Sequence, residues 1–342
     1  MLYWLYTLAA LVAALLLTGA LRRYALKRNI IDIPNSRSSH KIPTPRGGGV
    51  AIVLSTCAFS IVLVLGGEQT WGAILPLLLP GLLIAAIGFL DDHGHIAARW
   101  RLLGHFAAAF AALWLLPARP VVEVFGWEVD LSVGVYVFFS LYLVWMLNLY
   151  NFMDGIDGLA SVEAICVCSG AILAYAILGN YDLIWLPAVL SAAVAGFLFW
   201  NFPPARIFMG DAGSGFLGIS LGALSVQAAL VEPKFLWMWL ILLGVFIVDA
   251  TATLLRRMLR GDKVYEAHRS HAYQHAALGF SSHKTVTLSV VALNLCWLLP
   301  LSLTVALLDW NGTLVLMVAY LPLIALAIKW GAGQPNFAVK CR

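Results

Sequence analysis

The sequence predicts an all-α protein: a polytopic membrane helical bundle of about eleven transmembrane helices, forming one domain over residues 1–342. Three observations carry this. Hydrophobic residues make up 62% of the chain and charged residues 11%, with a mean hydropathy of +0.89. Ordinary soluble domains are roughly 25% charged, and no soluble core hides so much apolar surface. The apolar residues fall in blocks of roughly 17–22, each long enough to cross about 30 Å of hydrocarbon as a helix. The blocks also lack the alternation of a membrane barrel, as Leu236–Val248 shows.

In chain order the predicted spans are residues 2–21, 49–66, 72–90, 102–117, 133–149, 160–178, 183–200, 213–231, 235–255, 285–307 and 312–330. The first has no charge before Arg22. It therefore lacks the basic leader of a signal peptide and is expected to be retained, amino end outside. Alternating loops then put nineteen of the 21 Lys and Arg on one side and only Arg119 and Lys234 on the other. Basic loops stay in the cytosol, so the amino terminus is expected outside and the carboxyl terminus in the cytoplasm. Of the outer loops only Pro117–Ser132, with Val121, Val124 and Trp127 set among acids, has the length for a small hairpin. The net charge of +4 conceals this polarity and gives no sign of nucleic-acid binding. Cys57, Cys166, Cys168, Cys296 and Cys341 show no paired spacing of a metal site or disulfide framework.

The polar motifs gather on the cytoplasmic side. Asp91 and Asp92 end the third span, and adjacent acids there persist most easily beside a cation or an exchangeable proton. Arg99 and Arg101 follow, placed to hold a phosphate or simply to orient the chain. Asn151, Asp154 and Asp157 are spaced by three, so on one helical turn they would share a face suited to Mg²⁺ or a ribose. Gly155 and Gly158 between them permit close backbone approach. The string Met209-Gly-Asp-Ala-Gly-Ser-Gly215 opens the eighth span, where amides favour an anion and Asp211 offers an oxygen to a metal; helix packing is the plainer role for its glycines. Between the first two spans, Arg37, His40, Lys41 and Arg46 lie in a proline-stiffened loop able to embrace a diphosphate. His268, Arg269 and His271 lie in the longest cytoplasmic loop, which suggests phosphate or sugar contacts.

Taken together, these stretches resemble the polyprenyl-phosphate N-acetylhexosamine-1-phosphate transferase family, which includes the muramoyl-pentapeptide translocase and the enzymes that initiate O-antigen. The resemblance runs from Asp32 to Gln274, and its specific part is Asn151-Phe-Met-Asp-Gly-Ile-Asp-Gly158 with Met209-Gly-Asp-Ala-Gly-Ser214. It implies Mg²⁺, or Mn²⁺, on Asp211 and Asp92, with Asp91, Asp92, Asp154 and Asp157 as catalytic carboxylates. Arg37, His40, Arg46, Arg99, Arg101, Asn151, His268, Arg269 and His271 would then contact the substrates, a UDP-linked N-acetylated sugar and undecaprenyl phosphate. It also implies a cytoplasmic-face site in a bacterial inner membrane, surrounded by lipid, with a homodimer left open. Tyr273, Gln274 and His95 depart from the pattern of many relatives, and Asp249 has acidic counterparts. Two other classes predict different sequences. An intramembrane prenyltransferase needs two similar Asp-rich repeats, and a multi-pass transporter places its polar groups near mid-bilayer in repeated halves.

Overall fold

A computed structural model describes residues 2–34, 40, 42–94, 96–129, 132–262 and 268–335. Arg37, Lys41 and His95 lie outside the described residues. The helices are α1 Leu2–Arg28, α2 Val50–Leu65, α3 Trp71–Gly94, α4 Ala98–Trp114, α5 Gly134–Met153, α6 Leu159–Leu178, α7 Trp185–Asn201, α8 Asp211–Val231, α9 Lys234–Leu242, α10 Gly244–Arg260, α11 Ala272–Phe280, α12 His283–Leu293, α13 Leu299–Leu308 and α14 Gly312–Lys329. A π-turn over Asn294–Leu298 joins α12 to α13. The Pro117–Ser132 segment holds the expected hairpin, β3 Val122–Val124 against β4 Trp127–Val129. A second pair, β1 Ile31–Asp32 with β2 Thr44–Pro45, closes the first loop.

Every predicted span coincides with helix, but their lengths differ from expectation. Among the described residues eight helical stretches are long and apolar enough to cross a membrane, and α9 with α10 makes a ninth if that bent pair is one span. The protein is thus an all-α polytopic membrane bundle. The helices α2 and α4 have only 16 and 17 residues, about 25 Å at 1.5 Å per residue.

The stretch predicted as one span over 235–255 is bent by 74° between α9 and α10. A break inside an apolar bundle exposes backbone amides that no water can satisfy. Glu163, fully buried on α6, lies beside the Phe246 amide just after the break and accepts a hydrogen bond from Asn294 Nδ2 at 2.6 Å.

The helix at the centre is α8, whose glycines bring three neighbours to backbone contact. A Cβ on Gly213 would lie 2.6 Å from Gly49 Cα at the start of α2, and one on Gly218 would lie 2.7 Å from Leu147 Cα of α5. From the α3 side, a Cβ on Gly88 would lie 2.5 Å from the Asp211 carbonyl carbon. These contacts bring the ends of α2, α3, α5 and α8 together, and the polar motifs with them.

Candidate active site

The first relationship at this meeting point is between α3 and α8. Asp92, at the end of α3, accepts Asp211 N–H at 3.1 Å, so a carboxylate already satisfies the start of α8. The α8 amides expected to face an anion are in part taken by Asp92. Arg46 enters from the first loop, its Nη2 lying 2.8 Å from Asp92 Oδ1 and 2.6 Å from Asp211 Oδ1. Burial opposes the Arg46 charge, but Asp211 and Asp92 outweigh it and hold the guanidinium pKa above its ordinary value.

Asp91 and Asp92 part company because adjacent helical residues point in different directions. Asp91 accepts Ile96 N–H and pairs with Arg101 Nη1, bracing the turn between α3 and α4. Arg99 is exposed and lies over the Trp100 ring. Neither Arg99 nor Arg101 lines the cavity that Asp154 shares with Asp211.

The second motif does not lie on one helical turn. The α5 helix ends at Met153, and residues 154–158 are non-helical before α6 begins at Leu159. The glycines explain the break. A Cβ on Gly155 would sit 2.1 Å from Tyr273 Oη, and Gly158 has a φ of +74°. Asn151, Asp154 and Asp157 nevertheless all reach one cavity of about 220 Å³, lined also by Arg46, Asp211 and Asp32. Asn151 Nδ2 donates to Ser214 Oγ at 3.0 Å, tying α5 to α8. Asp157 Oδ2 accepts Ala205 N–H at 3.0 Å and its Oδ1 lies 3.2 Å from His283 Nδ1, so it braces the loop before α8 and the start of α12. Unlike Asp157 and Asp211, Asp154 makes no hydrogen bond or ion pair through its carboxylate among the described residues. Desolvation, and then the charge of Asp211, push its pKa well above the usual carboxylate range.

The His-rich stretch is packed more deeply than a mobile loop would be. His271 is 2% exposed and stacks on His268 with ring centroids 4.9 Å apart. Its Nδ1 lies 3.2 Å from Asp249 Oδ1, while Asp249 also accepts the Ala272 and Tyr273 amides, at 3.0 and 2.9 Å. Asp249 thus fastens the start of α11, which carries Gln274 into the cavity wall and sets Tyr273 Oη on the Phe152 carbonyl at 2.9 Å. Arg269 lines a neighbouring cavity of about 520 Å³ with Lys284, and His40, Asp157, Phe208 and His283 border both cavities.

Asp32, Asn201 and His283 line the cavity although no motif pointed to them. Asn201 accepts Gly158 N–H at 3.0 Å and donates to the Ile207 carbonyl at 3.1 Å. An isolated Asn at the end of an apolar run is the faint signal that the sequence offered for it.

The cavity is lined by four carboxylates, Asp32, Asp154, Asp157 and Asp211, against one guanidinium, Arg46. Such an excess of negative charge repels an anionic substrate unless a cation enters with it. Among the described residues no three His, Cys, Asp or Glu side chains form a metal cage. Mg²⁺ needs none, since it commonly takes one or two carboxylates and completes its shell with water and substrate phosphate. Asp211 and Asp92, already sharing one cation in Arg46, fit that pattern.

Residues 74–229 match the family described as Glycosyl transferase family 4. The chain is 29% identical to a probable undecaprenyl-phosphate N-acetylglucosaminyl 1-phosphate transferase of Bacillus subtilis, covering 83% of this chain and 79% of the relative. It is 29% identical to a decaprenyl-phosphate N-acetylglucosaminephosphotransferase of Mycolicibacterium smegmatis, over 79% of this chain and 77% of the relative. It is 30% identical to a phospho-N-acetylmuramoyl-pentapeptide-transferase of Kocuria rhizophila, over 73% of this chain and 80% of the relative. A polytopic helical bundle with a carboxylate-lined cavity at the ends of its helices is here a membrane phospho-sugar transferase. The chain belongs to glycosyl transferase family 4.

Proposed function

We propose that this transferase moves an N-acetylhexosamine 1-phosphate, or its 6-deoxy counterpart, from a UDP-sugar to undecaprenyl phosphate. UMP is released and a lipid-linked glycan such as O-antigen is begun. The observation that carries the reading is the convergence of Asp154, Asp211, Asn151 and Arg46 on one cavity. The names of the relatives, which join N-acetylated amino-sugar phosphates to prenyl phosphates, support the substrate classes. In the membrane we read eleven crossings with the amino terminus outside, which puts this cavity on the cytoplasmic side, where nucleotide sugars are made.

In the reaction a phosphate oxygen of the prenyl phosphate attacks the β-phosphorus of the UDP-sugar. The new P–O bond forms as the bond to the bridging oxygen breaks, and UMP leaves with that electron pair. Asp154, which lines the cavity with Asn151 and Asp211, is a group free to take the proton of an incoming phosphate monoester, whereas Asp92 and Asp157 are engaged with backbone amides and cationic or imidazole partners. Mg²⁺ held by Asp211 and Asp92 would supply charge neutralisation to the diphosphate and to the leaving UMP. Arg46 offers that diphosphate a second cation, and Asn151 holds α5 against α8 so that Asp154 and Asp211 keep their separation.

The test is to incubate membranes carrying the chain with several radiolabelled UDP-sugars and undecaprenyl phosphate, then extract the lipids and assay the nucleotide. Lipid-soluble label with matching UMP supports the reading. Release of UDP, or transfer of the prenyl chain itself, would replace it with glycosyl or prenyl transfer.

A further inference from the structure

The end of α1 meets the loop between α7 and α8. The 27 residues of α1 extend about 40 Å, more than a hydrocarbon core requires, so its last turns stand in the headgroup layer. There Arg22 Nε donates to the Arg206 carbonyl oxygen at 3.2 Å. Both guanidiniums lie against the ring of Trp200, at 5.9 Å for Arg22 and 5.6 Å for Arg206, and Arg206 also lies 5.4 Å from the Phe199 ring. The indole is locked in place. Its Nε1 donates to the Leu15 carbonyl at 3.0 Å, and it fills the space beside Gly19, where a Cβ would lie 3.0 Å from the ring.

Two like charges share one aromatic platform here, and among the described residues neither forms an ion pair with a carboxylate. No Asp or Glu occurs in residues 2–31 or 183–210. Cation–π contact offsets only part of the repulsion, so the pair calls for an anion. The surroundings specify its depth. Phe199 is 58% exposed on a helix apolar enough to span, so this face looks onto lipid, and Arg206 follows just beyond that helix's end. We propose that Arg22 and Arg206, framed by Trp200 and Phe199, form a binding site for the phosphate of an anionic membrane phospholipid.

The site is wired to the catalytic end of the bundle. Arg206 N–H donates to the Trp200 carbonyl at 2.8 Å, and the next residues, Ile207 to Gly210, lead directly into Asp211. Ala205 is bonded to Asp157, and Phe208, Met209 and Gly210 line the cavity. A headgroup that clamps Arg206 to Arg22 therefore holds one wall of the site, and anionic lipid raises turnover.

The test compares the full-length chain with Arg22→Gln/Arg206→Gln and with a control, Lys27→Gln/Arg28→Gln, which removes two charges from the same helix end away from Trp200. Native mass spectrometry counts bound phosphatidylglycerol against phosphatidylcholine, a readout independent of the reaction proposed above. Each arginine near an anionic lipid contributes about a fivefold factor, so the site variant is expected to bind phosphatidylglycerol about 25-fold more weakly than wild type. The control and Arg22→Lys/Arg206→Lys should keep most of the binding. Turnover in nanodiscs with phosphatidylglycerol should exceed that in phosphatidylcholine alone for wild type and control only, with the site variant's basal rate and thermal midpoint unchanged. Equal loss in the control would show general electrostatics and overturn the site. So would stimulation by inorganic phosphate in phosphatidylcholine nanodiscs, or a rise in the undecaprenyl-phosphate KM alone, since these would assign the pair to free phosphate or to the acceptor.

Discussion

Asp249 holds His271 from beneath: its Oδ1 lies 3.2 Å from His271 Nδ1 while the same carboxylate accepts the next two amides of α11. His271 thus fixes the helix that delivers Gln274 to the cavity. Asp249→Ala should lower stability by about 2–4 kcal/mol, because buried N–H groups lose their acceptor. It should also raise the UDP-sugar KM. His271→Ala should raise the same KM with little change in that of undecaprenyl phosphate. Gln274→Ala should reproduce the kinetic effect with a smaller change in thermal midpoint. Kinetics with each substrate varied in turn, beside melting curves, separate these outcomes; a loss confined to the lipid substrate would place α11 on the acceptor side.

The carboxylates that share Arg46 are expected to need a cation for turnover. Asp211→Asn should reduce turnover by about 10²-fold or more while the protein stays folded, and excess chelator should do the same to wild type. Arg46→Ala leaves Asp92 and Asp211 facing each other without their bridge, so its melting temperature should rise more on adding Mg²⁺ than that of wild type. Chelator-resistant activity would remove the metal from the mechanism.

His268 carries a pH signature. Partial burial, then His271 and Arg257, push its pKa from 6.5 down to about 3. Between those values the unfolded chain binds a proton that the folded chain does not, so stability falls as the pH drops below 6.5. His268→Gln should therefore lose less thermal stability than wild type between about pH 7 and about pH 5. Parallel melting curves across that range would show His268 titrating alike in both states.

Orientation is checked with single cysteines in a cysteine-free background. Ser281→Cys, on an exposed turn beside the catalytic cavities, should resist an impermeant thiol reagent outside intact cells, whereas Trp127→Cys on the hairpin should react. The reverse pattern would invert the assigned topology.

The central glycines make a graded prediction. Gly213→Ala would force a Cβ to 2.6 Å from Gly49 Cα, backbone that cannot step aside, so it should cost about 1–3 kcal/mol or prevent assembly. Gly134→Ala meets nothing within 4 Å and should be neutral. Equal melting temperatures for the two variants would mean that α2 and α8 are less tightly joined.

Hydropathy alone determined that this chain is a helical membrane bundle, because an apolar run long enough to span has one economical backbone solution in lipid. Motif spacing alone marked Asp154, Asp157 and Asp211, since acids and glycines at the end of an apolar helix stand out from their surroundings. What pattern could not show was decided by packing. Whether Asp91 or Asp92 meets Asp211 depends on how α3 lies against α8, and that depends on Gly88 admitting the α8 backbone. The bend between α9 and α10 sets the Phe246 amide beside Glu163, about eighty residues earlier in the chain. His271 was visible as a histidine in a polar loop, but only the fold put it under Asp249 and out of the cavity. Composition and periodicity are local and survive in the sequence, whereas the partner of a buried carboxylate is set by which distant backbones come within van der Waals contact.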